Sequence, residues 1–229
     1  MRIIAIETSG RHGSVAALHG EAGGVSCVDQ IVLPTSERTA RSLAPALRDL
    51  LHQVGWSARS MELVAVTSGP GSFTGLRIGV TTAKTLAYAV GAEIIGVDTL
   101  DVIAAQARAP AGRLWPIVDA QRQELFTAEF EVSHDEVTRR VGDTVVMKQE
   151  QWVAQLRASD RVTGPALRIL TASLPADVVA APEELWQPTA AAVGQVAWRA
   201  YQAGQRDDVW KLLPNYHRLS AAEEKLKRT

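Results

Sequence analysis

The sequence lacks the cysteines and paired histidines from which many metal sites and disulfide frameworks are built. Cys27 is the only cysteine in 229 residues, so no intrachain disulfide and no site with several thiolate ligands can form. None of the five histidines stands four residues from another, which is the spacing of a metal-binding pair on a helix. A cysteine or histidine metal centre is therefore not expected, whereas carboxylate ligands remain open.

The sequence has neither a surplus of positive charge nor a cluster of aromatic residues. Lys and Arg number 24 against 25 Asp and Glu, which gives a formal net charge of −1, and aromatic residues make up only 5%. Proteins that bind nucleic acid by themselves usually carry a basic excess, and single-strand binders add neighbouring exposed rings for base stacking. Direct binding of RNA by this chain alone is therefore disfavoured.

Long apolar runs are also missing. No stretch approaches the roughly 18 uninterrupted apolar residues of a membrane span. The N-terminal segment MRIIAIETSG is a short strand-like run without an apolar region of signal-peptide length. We therefore expect a cytoplasmic protein that does not span a membrane.

Hydrophobic patterning in the first half predicts three strands, followed by helices that alternate with further strands. Short turn clusters separate the first three runs, which should form an antiparallel meander. Leucines at helical spacing follow a cap candidate at Ser36, and Pro45 is expected to kink or restart their helix. The predicted strands are 2–7, 14–18, 25–33, 62–67 and 93–97, and the predicted helices are 43–54, 72–90 and a segment from 98 or 99 toward 108.

The second half repeats this order in a degenerate form after the loose segment APAGRLWP. We therefore predict an α/β protein of two lobes with mixed sheets, 1–109 and 110–229. The Ala-rich segment 189–204 should form a final helix, a candidate to pack back on the first lobe. The other predicted elements are strands at 114–120, 124–131, 138–146, 161–164 and 177–180, and helices near 149–157 and from 165.

The densest chemical signal is SGPGSFTGLRIG at 68–79, a glycine-rich turn between a buried strand and a helix. Such a turn can present backbone N–H groups to an anion, or its glycines can simply let the chain turn tightly. It is not a P-loop, because Leu76 and Arg77 follow Gly75 where a P-loop has Lys and Ser or Thr. Glu7 and Asp119 end corresponding strands of the two halves and either hold a magnesium nucleotide between them or cap turns.

The helix at 72–90 carries an apolar arc too wide for packing on one sheet alone. Gly75, Gly79, Ala83 and Ala87 follow one another every four residues and predict a shallow groove where another helix backbone approaches. A helix of this chain or of another subunit could fill it. The sequence does not decide between these two alternatives.

Several segments in chain order resemble one family. They are AIETSG at 5–10, SGPGSFTGLRIGVTTAKTLA at 68–87, GVDTLDVIA at 96–104, VDAQRQELF at 118–126 and LPNYHRLSAAE near the end. GPGSFTG followed by LRIG is highly specific. The whole chain resembles the TsaB (YeaZ) family, which implies the fold shared by actin, sugar kinases and Hsp70, with two duplicated ribonuclease-H-like lobes.

The resemblance implies an accessory role. TsaB resembles its catalytic paralogue TsaD, which transfers a threonylcarbamoyl group to the adenosine beside the tRNA anticodon, and TsaB binds TsaD through its N-terminal lobe while the ATPase TsaE joins the pair. For this chain it implies no catalytic or metal-binding residue, no cofactor of its own, and ATP or ADP only in the complex with TsaD and TsaE. It also implies a homodimer through the same surface and only indirect contact with tRNA.

Two sets of candidate site residues follow from the resemblance. The partner-binding set comprises Leu43, Leu47, Leu50, Phe73, Gly75, Leu76, Gly79, Val80 and Ala83. The phosphate-like turns comprise Glu7, Thr8, Ser9, Gly69, Gly71, Ser72 and Asp119.

Three departures bear on these sets. The segment SERTARSLAP lacks the HxxxH pair of TsaD, Glu7 stands where the family commonly has Asp, and residues 120–123 lack the family's glycine. Two rival functions remain open. An ATPase or kinase of the same fold would need both phosphate turns, and a glycoprotease-like peptidase would need a metal pair or a catalytic triad.

Overall fold

The computed structural model describes residues 1–107, 109–134 and 137–217 and divides the chain into two compact units. The first unit comprises Met1–Val102 and Gln187–Pro214, and the second comprises Ile103–Trp186 with residues 215–217. The first boundary lies after residue 102, close to the predicted one after residue 109, and the chain returns to the first unit after residue 186, which is the placement proposed for the final helix. The last five residues, KLKRT, which the sequence predicts to be a frayed tail, lie outside the described residues.

The strands and helices follow the predicted order closely. The strands are β1 (Arg2–Glu7), β2 (Ser14–Glu21), β3 (Gly24–Val32), β4 (Leu63–Gly69), β5 (Glu93–Asp98), β6 (Gly112–Gln121), β7 (Glu124–Thr127), β8 (Phe130–Val132), β9 (Thr138–Arg140), β10 (Val145–Lys148), β11 (Arg161–Thr163) and β12 (Val179–Ala180). The helices are α1 (Thr39–Gln53), α2 (Phe73–Val90), α3 (Thr99–Gln106), α4 (Gln149–Gln155), α5 (Leu167–Leu170) and α6 (Ala190–Gln202).

The first unit is built on a mixed sheet in the order β3-β2-β1-β4-β5. The pairs β1–β2 and β2–β3 are antiparallel, as the meander predicted, and β1–β4 and β4–β5 are parallel. Alternate residues of each strand point to opposite faces. Ile4 and Ile6 pack with α1 and α2 on one face, and Ile3 and Ala5 pack with α6 on the other.

Helix α1 corrects two expectations. It begins at Thr39 after Arg38, whose side chain makes no cap hydrogen bond, and not at Ser36. It also continues through Pro45 without a restart. Pro45 is exposed, so its ring lies away from the sheet that the buried leucines of α1 cover. Packing of that leucine face therefore outweighs the cost of one proline.

A segment at residues 205–214, here called the C-terminal strap, covers the β5 edge of the first unit. The Asp207 amide donates to the Ile94 carbonyl (3.1 Å), and the Gly96 amide donates to Oδ2 of Asp207 (2.8 Å). Lys84 Nζ donates to the carbonyls of Trp210 and Leu212 at 3.1 and 3.0 Å. The strap thus satisfies backbone groups that an open sheet edge would leave unpaired.

The second unit contains a sheet in the order β10-β7-β6-β11-β12, with β8 and β9 paired beside β6. Its first two neighbour pairs are antiparallel and its last two are parallel, as in the first unit. The strands predicted at 124–131 and 138–146 are each broken into two. The first break lies opposite Trp115 and Pro116 of β6, and Pro116 has no amide to donate to a ladder.

Within residues 1–107, 109–134 and 137–217, no helix has both the length and the apolar character needed to cross a membrane.

Candidate functional site

The glycine-rich loop after β4 closes directly on the turn that follows β1. The Ser72 amide donates to the Ser9 carbonyl at 2.7 Å. A Cβ atom on Gly71 would lie 2.5 Å from the same oxygen, so no other residue type fits there without movement of the backbone. The Ser72 side chain caps α2 by accepting from the Gly75 amide (3.2 Å). Two amides of this segment, those of Ser72 and Gly75, are therefore already engaged within the first unit.

The small-residue stripe of α2 packs inside the first unit. A Cβ atom would lie 2.1 Å from the Thr8 carbonyl oxygen if added to Gly75, and 2.1 Å from Thr8 Oγ1 if added to Gly79. Ala83 and Ala87 are buried in the core between α2 and the sheet. Of the two alternatives for this groove, packing within the chain is the one observed.

Glu7 is completely buried at the end of β1. Its Oε1 atom accepts from the Ser9 amide (2.7 Å), from the Ser9 hydroxyl and from the Thr67 hydroxyl (3.5 Å), whereas Oε2 has no hydrogen-bond partner. Burial raises the pKa of Glu7 to about 7, against the opposing effect of the hydrogen bonds from Ser9 and Thr67 and of the nearby Gly10 amide. The carboxyl is therefore held close to the point where it gains or loses its proton at neutral pH.

Asp119 lies on the surface of the second unit and stabilises its own turn. Its Oδ1 atom accepts from the Gln121 amide (2.8 Å) and its Oδ2 atom from the Gln121 side-chain amide (3.0 Å). Gln121, Arg122 and Gln123 have φ values of 64°, 55° and 60°, a left-handed conformation that glycine adopts far more readily. Both Glu7 and Asp119 thus accept from the amide two residues ahead, which is the turn-capping alternative.

Among the described residues, no group of three or more His, Cys, Asp and Glu side chains is placed to hold a metal ion.

Most of the predicted partner-binding residues lie in the core. Leu43, Leu47, Leu50, Leu76, Val80 and Ala83 are at most 5% exposed, and Gly75 and Gly79 pack on Thr8 as described. Phe73 differs, with 36% of its surface exposed and the Arg77 guanidinium 4.0 Å from its ring centre. The buried members of this set stabilise the first unit, and the assignment of the set to partner binding stays a prediction.

An open apolar groove of about 700 Å³ runs between α1 and α2. Its lining comprises Ala44, Leu47, Arg48, Leu51, His52, Trp56, Ala58, Thr81, Thr82, Thr85 and Leu86. Sequence reasoning detected an apolar arc on α2 wider than one sheet can cover, but it assigned the excess to the glycines. Thr82 and Leu86 lay within that predicted arc, whereas Thr81 and Thr85 did not, because their exposure follows only from the way α2 lies on the sheet.

Comparison with known proteins agrees with this architecture. The family model of TsaD, tRNA N6-adenosine threonylcarbamoyltransferase, matches residues 8–181. The chain is 32% identical over 161 residues to the tRNA threonylcarbamoyladenosine biosynthesis protein TsaB of Bacillus subtilis (strain 168), covering 70% of this chain and 68% of that protein. It is 34% identical over 152 residues to TsaB of Escherichia coli (strain K12), covering 66% and 64%.

A solved structure shows the same fold over almost the whole chain. YeaZ from Pseudomonas aeruginosa matches with a TM-score of 0.78 and 27% identity, covering 94% of this chain and 99% of that one. The mixed α/β architecture and this match fit an actin-like, ribonuclease-H-like fold. With a family model over most of its length and relatives named TsaB, the chain belongs to the TsaB (YeaZ) family.

Proposed function

We propose that this protein is a non-catalytic subunit required for threonylcarbamoyladenosine modification of tRNA, at the adenosine next to the anticodon. It acts by binding the TsaD transferase and, in the complex, TsaE. The two relatives named as threonylcarbamoyladenosine biosynthesis proteins support the pathway. The matched region is about two thirds of each relative, so the partners are argued below from the surface of this chain.

The groove between α1 and α2 is the observation that carries the proposal. It is lined largely by apolar and methyl-bearing side chains on two neighbouring helices, a surface typical of helix-in-groove recognition. Ala44, Thr81 and Thr85 are exposed, so a partner can reach the groove without unfolding the first unit.

Charge around the groove indicates the chemistry of the partner helix. Arg48 and His52 line the groove, and no Asp or Glu is among its lining residues. Asp49 pairs with Arg48 at 2.8 Å and partly offsets its charge. A partner helix with an apolar stripe and acidic residues on one flank fits this surface. The same groove in a second copy supplies a second apolar face, which supports a homodimer that competes with TsaD.

The closed loop supports a role without catalysis by this chain. A phosphate would have to displace the Ser72–Ser9 hydrogen bond, and residues 121–123 form a turn without the glycine of a phosphate-binding hairpin. An ATPase or kinase needs both turns open, and a peptidase needs an activated nucleophile or a metal. We therefore infer no cofactor of its own, with ATP or ADP held only in the complex with TsaD and TsaE, and tRNA contacted only indirectly.

The two sheets support the finer description of the fold. Both place three strands in an antiparallel arrangement beside two parallel ones, in the same spatial order. Two duplicated ribonuclease-H-like lobes would share this topology. We therefore propose that the two halves of the chain are such duplicated lobes.

Substitution in the groove tests the function. Ala44→Arg places a long, positively charged side chain at an exposed position that lines the groove. Ala154→Arg makes the same change at an exposed position of α4 in the second unit. We expect Ala44→Arg to weaken binding of a TsaD protein at least about tenfold in calorimetry, as for a disrupted interface hot spot, and to abolish modification by the reconstituted complex. Native melting of both variants and unchanged binding by Ala154→Arg are the controls. Native affinity in Ala44→Arg would place the interface elsewhere.

A further inference from the structure

The Glu7 carboxyl is a buried titratable group that the partner groove does not use. One oxygen accepts from Ser9 and Thr67, while the other is out of contact with both solvent and a hydrogen-bond donor. A charged carboxylate with a bare oxygen in such surroundings is costly, whereas a proton on that oxygen removes the charge. The geometry at Glu7 therefore favours the neutral acid.

A continuous series of contacts links Glu7 to α2. The Ser9 amide and hydroxyl bind Glu7, the Ser9 carbonyl accepts from the Ser72 amide, and the Ser72 hydroxyl caps the first turn of α2. The close approach of Gly71 to Ser9 and of Gly75 to Thr8 leaves little room for independent movement. A shift of the turn at residues 8–9 must therefore move the start of the helix that forms one wall of the groove.

The elements packed around Glu7 provide no competing charge. Thr67 faces it from β4, and Ser14 lies directly opposite it in the register of β2 on the same face of the sheet. Ser14 accepts from the Ala190 amide at the start of α6 (2.9 Å). Burial alone raises the pKa of Glu7, the hydrogen bonds from Ser9 and Thr67 and the nearby Gly10 amide lower it, and no charged side chain contributes, including the neighbouring Arg11 and His12.

We propose that the Glu7 proton is a switch that holds the turn at residues 8–9 against the loop at 69–72, so that the start of α2 is ordered when Glu7 is neutral and loosened when it is ionised. The switch would regulate the groove of α1 and α2 and in this respect rests on the proposed function. Its action on the free chain does not depend on any partner.

The size of the effect has an upper limit. The folded carboxyl has a pKa of about 7, whereas an ordinary Glu has one of 4.5. Opening of the turn restores the ordinary value, so raising the pH across this interval favours opening by at most about 300-fold. Most of this change falls between pH 5 and pH 7, and it levels off above pH 7.

Hydrogen exchange of the free chain tests the switch. After correction for intrinsic rates, the amides at residues 72–76 should lose protection as the pH rises from 5 to 8, relative to the amides of β2. Glu7→Gln should remove this dependence, and Glu21→Gln, at the exposed end of β2, should leave it unchanged. Flat protection in the native chain, or the same pH dependence in Glu7→Gln, would overturn the switch.

A second variant, Ser9→Ala, tests the switch in case the Glu7→Gln protein does not fold. The Ser9 hydroxyl stabilises the ionised carboxyl, so Ser9→Ala should move the midpoint of the transition to higher pH. A purely structural role of Ser9 would change protection without moving the midpoint. An unmoved midpoint in Ser9→Ala would therefore count against the switch.

Binding measurements separate the switch from the proposed function. We expect the affinity for a TsaD protein to fall between pH 5.5 and pH 8 in the native chain, with a smaller fall in Glu7→Gln. Pairwise comparison at each pH cancels titration of the partner. No binding at any pH would contradict the proposed function and leave the exchange result standing. Binding with the same pH profile in both chains would overturn the link between the switch and the groove.

Discussion

At the scale of single residues, the turn at residues 8–9 decides which side chains the glycine-rich segment can carry. Gly71, Gly75 and Gly79 each lie where a Cβ atom would meet an atom of that turn. The sequence identified these glycines as special but left their partner open, because a stripe of small residues looks the same whether its neighbour lies in the same chain or another. Thr8 was predicted only as part of a phosphate-like turn, and nothing in the sequence indicated its contact with Gly75 and Gly79.

Alanine at these glycines should be destabilising even though alanine favours a helix. Gly75→Ala forces a backbone oxygen to move and should cost about 1–3 kcal/mol, against a propensity gain of about 1 kcal/mol. Gly79→Ala meets a side-chain oxygen, so Thr8→Ala should rescue it and should not rescue Gly75→Ala. Urea unfolding of the single and double variants measures both effects, with Gly23→Ala, which has open space around it, as a neutral control.

Glu7 should make the stability of the protein depend on pH in a direction opposite to that of a salt-bridged acid. The folded pKa of about 7 exceeds the ordinary 4.5, so the folded state binds the proton more tightly. Stability is therefore highest below pH 4.5 as far as Glu7 is concerned, and falls as the pH rises to about 7, by about 3 kcal/mol in total.

Glu7→Gln should remove this loss of stability. The unfolding free energy of the variant should therefore increase relative to that of the native chain as the pH rises. Urea unfolding at pH 5, 6, 7 and 8 measures it. A difference that does not change with pH would show that Glu7 titrates normally.

At the scale of elements, the hairpin between β6 and β7 carries three successive residues in the left-handed conformation. The absence of glycine at 120–123 was visible in the sequence, but the prediction drawn from it concerned phosphate binding and not strain. Three such residues cost roughly 1 kcal/mol each relative to glycine. The pairing of β6 with β7 and the hydrogen bonds of Asp119 hold the turn in place.

Gln123→Gly should therefore stabilise the protein by about 1 kcal/mol and raise its melting temperature by a few degrees. The Gln123 side chain is exposed, and its carbonyl would still accept from the Gln149 amide (2.9 Å). Gln195→Gly, at an exposed position inside α6, is the matched control and should destabilise by a similar amount. A lower melting temperature for Gln123→Gly would mean that the side chain makes a contact that outweighs the strain.

At the scale of the whole molecule, the element order and the mixed α/β class followed from local patterning. Strands β1, β2, β4 and β5 of the first sheet each carry a buried apolar run, and the more polar β3 is bounded by clear turns, so the existence of all five was predictable and only their ends moved. The first break in the second sheet lies opposite Pro116, and the exposed wall of the groove depended on how α2 lies on the sheet. Such features arise from contacts between distant residues, which periodicity does not report.

The discontinuous first unit predicts that residues 1–109 will not fold alone. Without α6, one face of the sheet would expose Ile3, Ala5, Ala16 and Leu18 to water, all of which are completely buried in the full chain. We expect this fragment to aggregate, or to keep helical and strand circular dichroism without a cooperative melt. Addition or co-expression of residues 187–214 should restore a cooperative transition. Cooperative unfolding of 1–109 by itself would contradict this expectation.

The position of α6 in the sequence also determines how long the first sheet stays uncovered during synthesis on the ribosome. The five strands of the first sheet are translated early. Residues 103–186 must be added before α6, the helix that covers one face of this sheet. At about 5–20 residues per second this takes roughly 4–17 s, far longer than the microseconds in which hydrophobic segments collapse. During that interval the uncovered sheet is a substrate for holding chaperones, and premature termination anywhere before α6 yields a chain whose sheet remains uncovered.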